Sequence, residues 1–268
     1  MIQQILTIAG SDSGGGAGIQ ADIKAIQANG GFGLSVITAI TAQNTQAILA
    51  AYDLPLDLIE NQFRAVLDDF EIAAAKTGML STAAIVNTVS NLLQERPVPC
   101  LVVDPVMVSK TGYPLLREDA IATLRQRLLP LATLVTPNRH EAELLGGMEV
   151  RNEEGAREAG LRILETGCAA VLIKGGHFDD LQSNDYLVTA SGLRVYPGER
   201  IDTRNTHGTG CTYSAAIATW LGRGRPLEEA VQRAKEYITE AIRHGLRIGH
   251  GQGPIDHFWF LRESAGGK

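Results

Sequence analysis

The amino-acid sequence predicts an α/β fold, in which a central and mostly parallel sheet carries helices on both faces and ends in a small antiparallel edge. Short β-branched runs alternate with segments of helical periodicity up to Lys174, the pattern of successive strand–helix–strand units. Two apolar runs then flank the turn residues 190–192, which is a hairpin signature. Beyond Thr206 only helical patterns follow. These three observations favour a parallel sheet that is covered on both faces.

The individual elements follow from the same patterns. The predicted parallel strands are residues 5–9, 34–41, 72–76, 100–104, 134–136 and 169–174. The predicted helices between them are residues 17–29, 56–69, 82–94, 118–129 and 153–166. The hairpin strands are residues 185–189 and 193–196, and the two closing helices are residues 209–221 and 227–247. No linker or change in composition interrupts the chain, and we therefore expect one domain over residues 1–268.

Composition excludes several classes of protein. The chain has 24 Lys and Arg against 30 Asp and Glu, and 44% of its residues are hydrophobic. This apolar content supports a core and argues against disorder, while the acidic balance lacks the basic footprint of a nucleic-acid partner. The longest uncharged stretch, residues 25–52, is broken by glycines and amides, so no membrane partner is expected.

The first predicted strand and the cysteines indicate the cellular compartment in which we expect the protein. The first predicted strand begins close to Met1, which leaves no room for a targeting segment. Three widely separated cysteines, Cys100, Cys168 and Cys211, suit neither a disulfide framework nor a zinc site. We therefore expect a cytoplasmic protein in a reducing compartment.

Glycine is enriched, with 29 residues in 268, and two glycine clusters stand out. The first, residues 10–18, precedes a predicted helix and contains four glycines in positions 14–18. It partly matches a dinucleotide-binding fingerprint, but no acidic residue lies between Lys24 and Asp53 to hold a ribose, and we reject that interpretation. Glycine at this density instead predicts close approach of a substrate to the backbone. The sequence contains no P-loop, no zinc-protease helix and no nucleophile elbow.

The second cluster, residues 205–211 (NTHGTGC), leads directly into an apolar helix. Free N–H groups at such a helix start can converge on an anion, and the helix dipole adds a favourable field. We therefore expect an anion hole here, as a device separate from the N-terminal loop. Polar or glycine residues also follow each of the six parallel strands. Since ligands bind beyond the carboxyl ends of parallel strands, a site is expected at that edge.

Two weaker motifs lie at the same edge. Asn138 and Glu141 are three residues apart at the start of a helix, so their side chains share one face. They could hold hydrated Mg²⁺, which prefers oxygen ligands and keeps several waters. Lys174 places a cation at the end of the sixth parallel strand.

Taken together, these motifs resemble those of the hydroxymethylpyrimidine/phosphomethylpyrimidine kinases of thiamine biosynthesis, which belong to the ribokinase superfamily. The matching segments occur in order along the chain: residues 8–22, 41–45, 76–79, 104–107, 136–141, 174–177, 205–211 and 251–254. The chain departs from the pattern at Ser13 and Gly14, where some members carry proline and serine. The resemblance implies a ribokinase-like fold, a homodimer, and ATP- and Mg²⁺-dependent phosphorylation of a small-molecule pyrimidine and then of its monophosphate.

The resemblance also implies roles for individual residues. Gln43 would hydrogen-bond the aminopyrimidine, since a primary amide offers a donor and an acceptor side by side. Further substrate-side candidates are Gly10, Ala17, Asp22, Met79 and Val106. The anion hole would comprise Gly208, Thr209, Gly210 and Cys211, with Cys211 at the position of the catalytic base. ATP would meet Lys174, Asn138, Thr206, His207 and the lid cation Lys110, and Mg²⁺ would meet Asp104 and Glu141, partly through water.

Cys211 separates this group from the sugar kinases of the superfamily, which carry aspartate at that position. A thiol at a helix N-terminus is expected to have a lowered pKa, which makes thiolate available. A pyridoxal kinase or a dual-specificity vitamin kinase remains an alternative, since both substrates are flat heteroaromatic rings with a hydroxymethyl group. A non-catalytic vitamin-binding protein on the same scaffold is a second alternative, against which the intact motifs argue.

Overall fold

A mixed sheet of nine strands runs through the part of the chain that the structure describes. The computed structural model describes residues 1–109, 112–175 and 182–265. The strands are β1 (Gln3–Asp12), β2 (Gly31–Gln43), β3 (Ile48–Asp53), β4 (Ile72–Thr77), β5 (Leu101–Val103), β6 (Leu134–Val135), β7 (Ala170–Ile173), β8 (Asp185–Thr189) and β9 (Gly192–Tyr196). Their order across the sheet is β3-β2-β1-β4-β5-β6-β7-β8-β9.

The predicted parallel sheet is confirmed. Strands β2, β1, β4, β5, β6 and β7 are mutually parallel neighbours. Ile5, Leu6 and Ile8 of the central strand β1 are fully buried, because helices cover both faces of the sheet. The predicted antiparallel edge is also confirmed, with β8 pairing antiparallel to β7 and to β9.

The helices of the described chain are α1 (Gly18–Ala28), α2 (Leu56–Asp69), α3 (Ala83–Glu95), α4 (Glu118–Thr123), α5 (Arg139–Gly146), α6 (Glu153–Leu164), α7 (Thr209–Gly222), α8 (Leu227–Arg243) and α9 (Trp259–Ala265). They form two apolar layers, one on each face of the sheet. Helices α1, α7 and α8 share one core with Ile5 of β1. Helices α2 to α6 share the other core with Leu6 and Ile8, as the alternation of side chains along a strand requires. No helix in the described ranges is long and apolar enough to cross a membrane.

Several elements differ from the prediction, among them the short helix α9, which was not predicted. Strand β3 was not predicted, and it extends the sheet beyond β2 in the antiparallel direction. The predicted helix 118–129 ends early at Thr123, where a π-helical turn over Leu124–Leu128 and a 3₁₀ turn containing Pro130 replace it, since proline cannot continue a regular helix. Helix α8 ends at Arg243 instead of residue 247, and Asn205 then binds the carbonyl of Gly245.

Candidate active site

A cavity of about 630 Å³ opens at the carboxyl ends of the parallel strands, where the sequence predicted a site. Most of the predicted site residues line it. They are Gly10, Ala17, Gln43, Met79, Asp104, Val106, Asn138, Glu141, Lys174, Thr206, His207, Gly208, Thr209, Gly210 and Cys211. Lys110 lies outside the described residues. The fold therefore brings residues from distant parts of the sequence to one place, as expected for this sheet edge.

Asp22 does not face the cavity, and its assignment to the substrate was wrong. Its side chain is fully buried in α1 and forms an ion pair with Lys76 of β4, with Nζ and Oδ2 2.8 Å apart. The Thr7 hydroxyl donates a further hydrogen bond of 2.6 Å to the same oxygen. Burial of a carboxylate requires such partners, and here they join α1 to the sheet. Asp22 is thus inaccessible to a ligand.

Asp12, at the end of β1, organises the N-terminal glycine loop. Its carboxylate accepts hydrogen bonds from the backbone N–H groups of Gly14, Gly16 and Ala17, at 2.7, 3.1 and 2.8 Å. Burial alone would raise the pKa of Asp12, but the hydrogen bonds from His207 and from this loop outweigh it and hold the pKa below its ordinary value. Asp12 is therefore an ionised acceptor at neutral pH.

The two glycine clusters pack against each other, although the sequence suggested two separate devices. Gly208 has a φ of +82°, and a Cβ at this position would overlap the carbonyl oxygen of Gly16. A Cβ on Gly16 would likewise overlap the imidazole of His207. Glycine is required at both positions, because only a bare backbone permits this approach. The N-terminal loop and the start of α7 thus form one wall of the cavity.

His207 lies on the side of the cavity that carries Gln43. Its Nε2 is 2.9 Å from Asp12 Oδ2 and 3.3 Å from the side-chain amide of Gln43. The resemblance had assigned His207 to ATP, and the structure instead puts its ring beside the residue expected to bind the pyrimidine. The Ser13 hydroxyl holds the Gln43 backbone, 2.8 Å from both its N–H and its carbonyl.

Gly10 and Met79 line the cavity and lie close against each other. A Cβ on Gly10 would lie 3.1 Å from Met79 Sδ, which is tighter than ordinary packing allows. A side chain at position 10 would therefore press on Met79, and glycine avoids this contact in the cavity wall.

The start of α7 carries the residues for which the sequence predicts an anion hole. The N–H of Thr212 donates to the carbonyl of Gly208, which leaves the N–H groups of Gly210 and Cys211 in the first turn without a partner inside the helix. A Cβ on Gly210 would lie 3.5 Å from Lys174 Nζ and 3.6 Å from Asp104 Oδ2. Backbone donors and a lysine ammonium therefore meet at one point, which suits a phosphate group.

The expected lowering of the Cys211 pKa was wrong for the ligand-free chain. Desolvation by the surrounding protein raises the pKa of the Cys211 thiol to about 11. The positive charge of Lys76 and a hydrogen bond from the backbone N–H of Gly18 act in the opposite direction, but they are weaker. The helix N-terminus alone therefore does not decide the ionisation of this thiol, because burial disfavours its charged form more strongly.

Asp104 and Lys174 form a buried ion pair at the ends of β5 and β7. The Lys174 Nζ is 2.7 Å from Asp104 Oδ1, and the Thr136 hydroxyl donates to the same oxygen at 3.1 Å. Burial would raise the pKa of Asp104, but the charge of Lys174 holds it below the ordinary value. This pair places both a negative and a positive charge on the cavity wall.

Asn138 and Glu141 form a capping box at the start of α5. The Glu141 N–H donates to Asn138 Oδ1 at 2.9 Å, and the Asn138 N–H donates to Glu141 Oε2 at 2.7 Å, so both side chains stabilise the helix end. Burial raises the pKa of Glu141 to about 7, although the nearby Lys174 lowers it. Asn138 and Glu141, whose spacing suggested a magnesium site, thus also stabilise the start of α5.

The donor set fits Mg²⁺ held mainly by water and phosphate oxygens. Two buried carboxylates, Asp104 and Glu141, line the cavity, and Mg²⁺ is commonly bound through one or two carboxylates together with substrate phosphates. The described residues contain no cluster of three or more His, Cys, Asp or Glu that would make a complete protein cage. Asp104 and Glu141 therefore suit Mg²⁺ that is bound through one or two carboxylates together with substrate phosphates.

Sequence reasoning missed one end of the cavity. Lys235 of α8 is paired with Asp185 of β8 at 2.8 Å, and the Tyr213 hydroxyl donates to the same carboxylate at 2.8 Å. All three residues line the cavity. A signal for Lys235 was present, because it lies in the otherwise apolar stripe of α8 that contains Ala234 and Ile238. A charged residue in such a stripe needs a buried partner.

Comparison with known proteins agrees with this geometry. Residues 12–256 match the family described as phosphomethylpyrimidine kinase. The hydroxymethylpyrimidine/phosphomethylpyrimidine kinase of Haemophilus influenzae is 46% identical over 265 residues, covering 97% of this chain and 98% of the relative. The crystal structure of phosphomethylpyrimidine kinase from Clostridium difficile has a TM-score of 0.81 at 44% identity, covering 90% of this chain and 99% of that one.

A pyridoxal kinase has a similar fold. The ADP complex of Bacillus subtilis pyridoxal kinase has a TM-score of 0.90 at 37% identity, covering 96% of this chain and 98% of that one. These similarities extend along most of the chain, and they include the segments that form the cavity. The chain belongs to the phosphomethylpyrimidine kinase family and has its ribokinase-like fold.

Proposed function

We propose that this kinase transfers the terminal phosphoryl group of ATP to 4-amino-5-hydroxymethyl-2-methylpyrimidine and then to its monophosphate, giving the pyrimidine diphosphate for thiamine biosynthesis. The observation that carries the proposal is that one cavity holds both the Gln43 amide and the first turn of α7 with Cys211. The first is suited to an aminopyrimidine edge and the second to a phosphate.

The ring would lie beside Gln43, and Gly10 and Met79 would form part of the cavity wall around it. Gln43 would then pair with the ring edge through one donor and one acceptor, which matches a ring nitrogen next to an amino group. Ala17 and Val106 also line this part of the cavity and would complete its walls. The hydroxymethyl group would point towards Cys211.

The phosphoryl group would lie against the first turn of α7 during transfer. There the N–H groups of Gly210 and Cys211 and the helix dipole would stabilise the developing negative charge. Lys174 would bind the phosphates of ATP, since its ammonium is adjacent to Gly210. Thr206 and Thr209 line the same region, and the Lys110 segment would supply a further cation.

Asp104 and Glu141 would hold Mg²⁺, partly through water, and Asn138 would position Glu141 through the capping box. When bound, Mg²⁺ would neutralise charge on the phosphates. The raised pKa of Glu141 fits a carboxyl that binds a cation best once it has lost its proton.

Cys211 would accept the proton of the attacking hydroxyl. Its thiolate is the minor form at neutral pH, because burial raises its pKa to about 11. Lys76 and the Gly18 N–H favour the thiolate, and phosphoryl transfer depends mainly on positioning and charge stabilisation in a loose transition state. A base that is present as thiolate in only a small fraction of the molecules is therefore sufficient when it is correctly placed.

Phosphorylation of pyridoxal is the second candidate activity, and the similarity to a pyridoxal kinase favours it. The deciding experiment measures ATP consumption with the hydroxymethylpyrimidine, its monophosphate and pyridoxal in parallel. We expect kcat/KM to be highest for the two pyrimidines. Higher kcat/KM for pyridoxal would favour the second candidate, and ATP consumption that no acceptor increases would favour a binding protein without kinase activity.

A second test concerns Cys211. Cys211→Ala should lower kcat by about 100-fold, the usual contribution of a positioned base, with little change in the KM for ATP. The control is Cys100→Ser, because Cys100 is a half-buried free cysteine outside the cavity. Near-normal turnover by Cys211→Ala would remove Cys211 from the catalytic role.

We further propose that the chain acts as one domain and as a cytoplasmic homodimer. A single sheet contains all strands of the described chain, which supports one domain. The three cysteines are free, which suits a reducing compartment.

The β2–β3 hairpin supports the homodimer. Ile40 and Tyr52 pair across β2 and β3 and are 48% and 70% exposed. Such an apolar pair on an edge hairpin suits contact with a second copy.

A further inference from the structure

The side-chain amide of Gln43 lies between two polar neighbours. Its Oε1 is 3.1 Å from the Thr41 hydroxyl, and its Nε2 is 3.3 Å from His207 Nε2. The carbonyl and NH₂ ends of an amide have the same shape, and only their hydrogen-bonding partners distinguish its two orientations. These two neighbours therefore decide which end faces which side of the cavity.

His207 requires the carbonyl end. Its Nε2 is 2.9 Å from Asp12 Oδ2, and Asp12 also accepts hydrogen bonds from three backbone N–H groups of the glycine loop. An ionised carboxylate only accepts hydrogen bonds, so Nε2 must carry a hydrogen. A nitrogen with a hydrogen cannot accept from an NH₂ group. The favourable neighbour on this side is the Gln43 carbonyl, which shares the hydrogen with Asp12.

Thr41 independently requires the NH₂ end on its side. Its hydroxyl lies 3.1 Å from the backbone carbonyl of Ser11, and a carbonyl oxygen only accepts. With Gln43 Oε1 on this side, one hydroxyl hydrogen would have to serve two acceptor oxygens at 3.1 Å, the Ser11 carbonyl and Oε1. With the amide turned end for end, the hydrogen bonds Ser11 and the Thr41 oxygen accepts from the NH₂ group. Both neighbours thus favour the same orientation of the amide, although they lie on different segments of the chain.

We propose that Thr41 and His207 are specificity-determining positioning residues, which fix the direction in which the Gln43 amide binds the substrate ring. The proposal rests on the proposed function, in which Gln43 pairs with the aminopyrimidine. The second hydrogen of the NH₂ group and the second lone pair of the carbonyl remain for the ligand. The amino group of the ring then lies on the His207 side, and the acceptor nitrogen lies on the Thr41 side.

This fixed direction excludes one close analogue. The 4-oxo ring in its lactam form has the reverse order, a carbonyl where the substrate has an amino group and an N–H where it has a bare nitrogen. A freely rotating glutamine would bind either ring by turning its amide. With a fixed glutamine, the Gln43 carbonyl would face the ring carbonyl of the 4-oxo analogue, and the Gln43 NH₂ group would face its ring N–H. None of these groups would have a hydrogen-bonding partner, and unpaired polar groups in a site are strongly disfavoured.

The test compares dissociation constants and kcat/KM for the amino ring and its 4-oxo analogue in four proteins. They are the wild type, Thr41→Val, Thr41→Ser and His207→Phe. Loss of one neighbour should lower the preference for the amino ring about tenfold, since a hydrogen bond contributes about this much. Thr41→Val is nearly isosteric, and Thr41→Ser keeps the hydroxyl and should keep the preference.

The outcomes separate this inference from the proposed function. If Thr41→Val and His207→Phe weaken both rings equally, the two residues are only structural and the inference is overturned, while the proposed function stands. If Gln43→Leu leaves the dissociation constant of the amino ring unchanged, Gln43 does not contact the ring and the proposed function itself fails at this residue. Measurement of binding as well as turnover keeps a variant with low activity informative.

Discussion

Cys211 shows how strongly the surroundings of one side chain decide its chemistry. It lies in the first turn of α7 and receives a hydrogen bond from the N–H of Gly18, and both features favour a thiolate. Desolvation nevertheless raises the pKa to about 11. The charge of a bound phosphate and the exclusion of water will change this balance again, so the ligand-free state is the reference for any measurement.

The thiol pKa can be measured directly by alkylation. Only thiolate reacts with iodoacetamide, and a pKa of about 11 keeps Cys211 mostly protonated through the neutral range. We therefore expect the rate of alkylation of Cys211 to rise about tenfold per pH unit between pH 7 and 9. Mass spectrometry of the peptides would follow Cys211 separately from Cys100 and Cys168. A rate that levels off below pH 8 would show that the helix N-terminus dominates after all.

Single residues also mark the limit of what the sequence could predict about the site. Gln43, Lys174 and residues 206–211 were predicted and line the cavity, because glycine and polar residues after strands are a strong signal. Asp22 was misplaced, since its spacing on α1 does not reveal whether it faces the cavity or the sheet. The position of His207 depends on Asp12, almost two hundred residues earlier in the chain, and no local pattern encodes such a contact.

At the scale of elements, the Asp22–Lys76 pair joins helix α1 to strand β4. Both side chains are fully buried, and two distances of 2.8 and 3.0 Å connect them. Burial would lower the pKa of Lys76, but the adjacent carboxylate raises it above the ordinary value. Burial also raises the pKa of Asp22, against the charge of Lys76. Two short contacts hold the pair together within the core, where neither partner is tolerated alone.

Removal of one charge from this pair should destabilise the protein strongly. Lys76→Met leaves Asp22 buried without its partner, and we expect it to lower the free energy of unfolding by about 3–5 kcal/mol. Urea denaturation followed by circular dichroism would measure this at fixed protein concentration.

The matched control is Arg64→Ala, because Arg64 and Glu95 form an exposed ion pair of similar length. That change should cost less than about 1 kcal/mol. Equal losses in the two variants would contradict the role given to the buried pair.

The predicted elements were accurate where their pattern is local. Strands β1 and β4 and helix α2 read clearly from apolar runs and periodicity. Strand β3 was missed because only its pairing with β2 makes residues 48–53 extended, and its face is largely exposed. The boundary of α4 was missed because the π-helical turn over Leu124–Leu128 keeps a helical periodicity.

For the whole molecule, the sheet has two different edges. At one edge lies the antiparallel pair of β8 and β9, with β9 outermost. At the other edge the outermost strand is β3. Leu49 and Tyr52 on β3 are 75% and 70% exposed. An exposed apolar edge strand is unfavourable for an isolated protein, which supports the proposed contact with a second copy.

A single charge on this edge should separate the dimer. Tyr52→Asp places a carboxylate in the proposed interface, and we expect sedimentation velocity to show a shift from dimer to monomer. Leu261→Asp is the control, since Leu261 is an exposed apolar residue on α9, and it should leave the dimer intact. A wild type that sediments as a monomer, or a dimer that persists in Tyr52→Asp, would contradict this interface.

The contact between Gly16 and Gly208 has a consequence for the order of assembly during synthesis. A nascent chain that has emerged only as far as β9 already contains the N-terminal loop, Gln43, Asp104 and Lys174. It still lacks Gly208, against whose backbone Gly16 packs, and His207, whose imidazole binds Asp12. A truncated product that ends at β9 therefore lacks both the backbone partner of Gly16 and the first turn of α7, where we propose that phosphate binds.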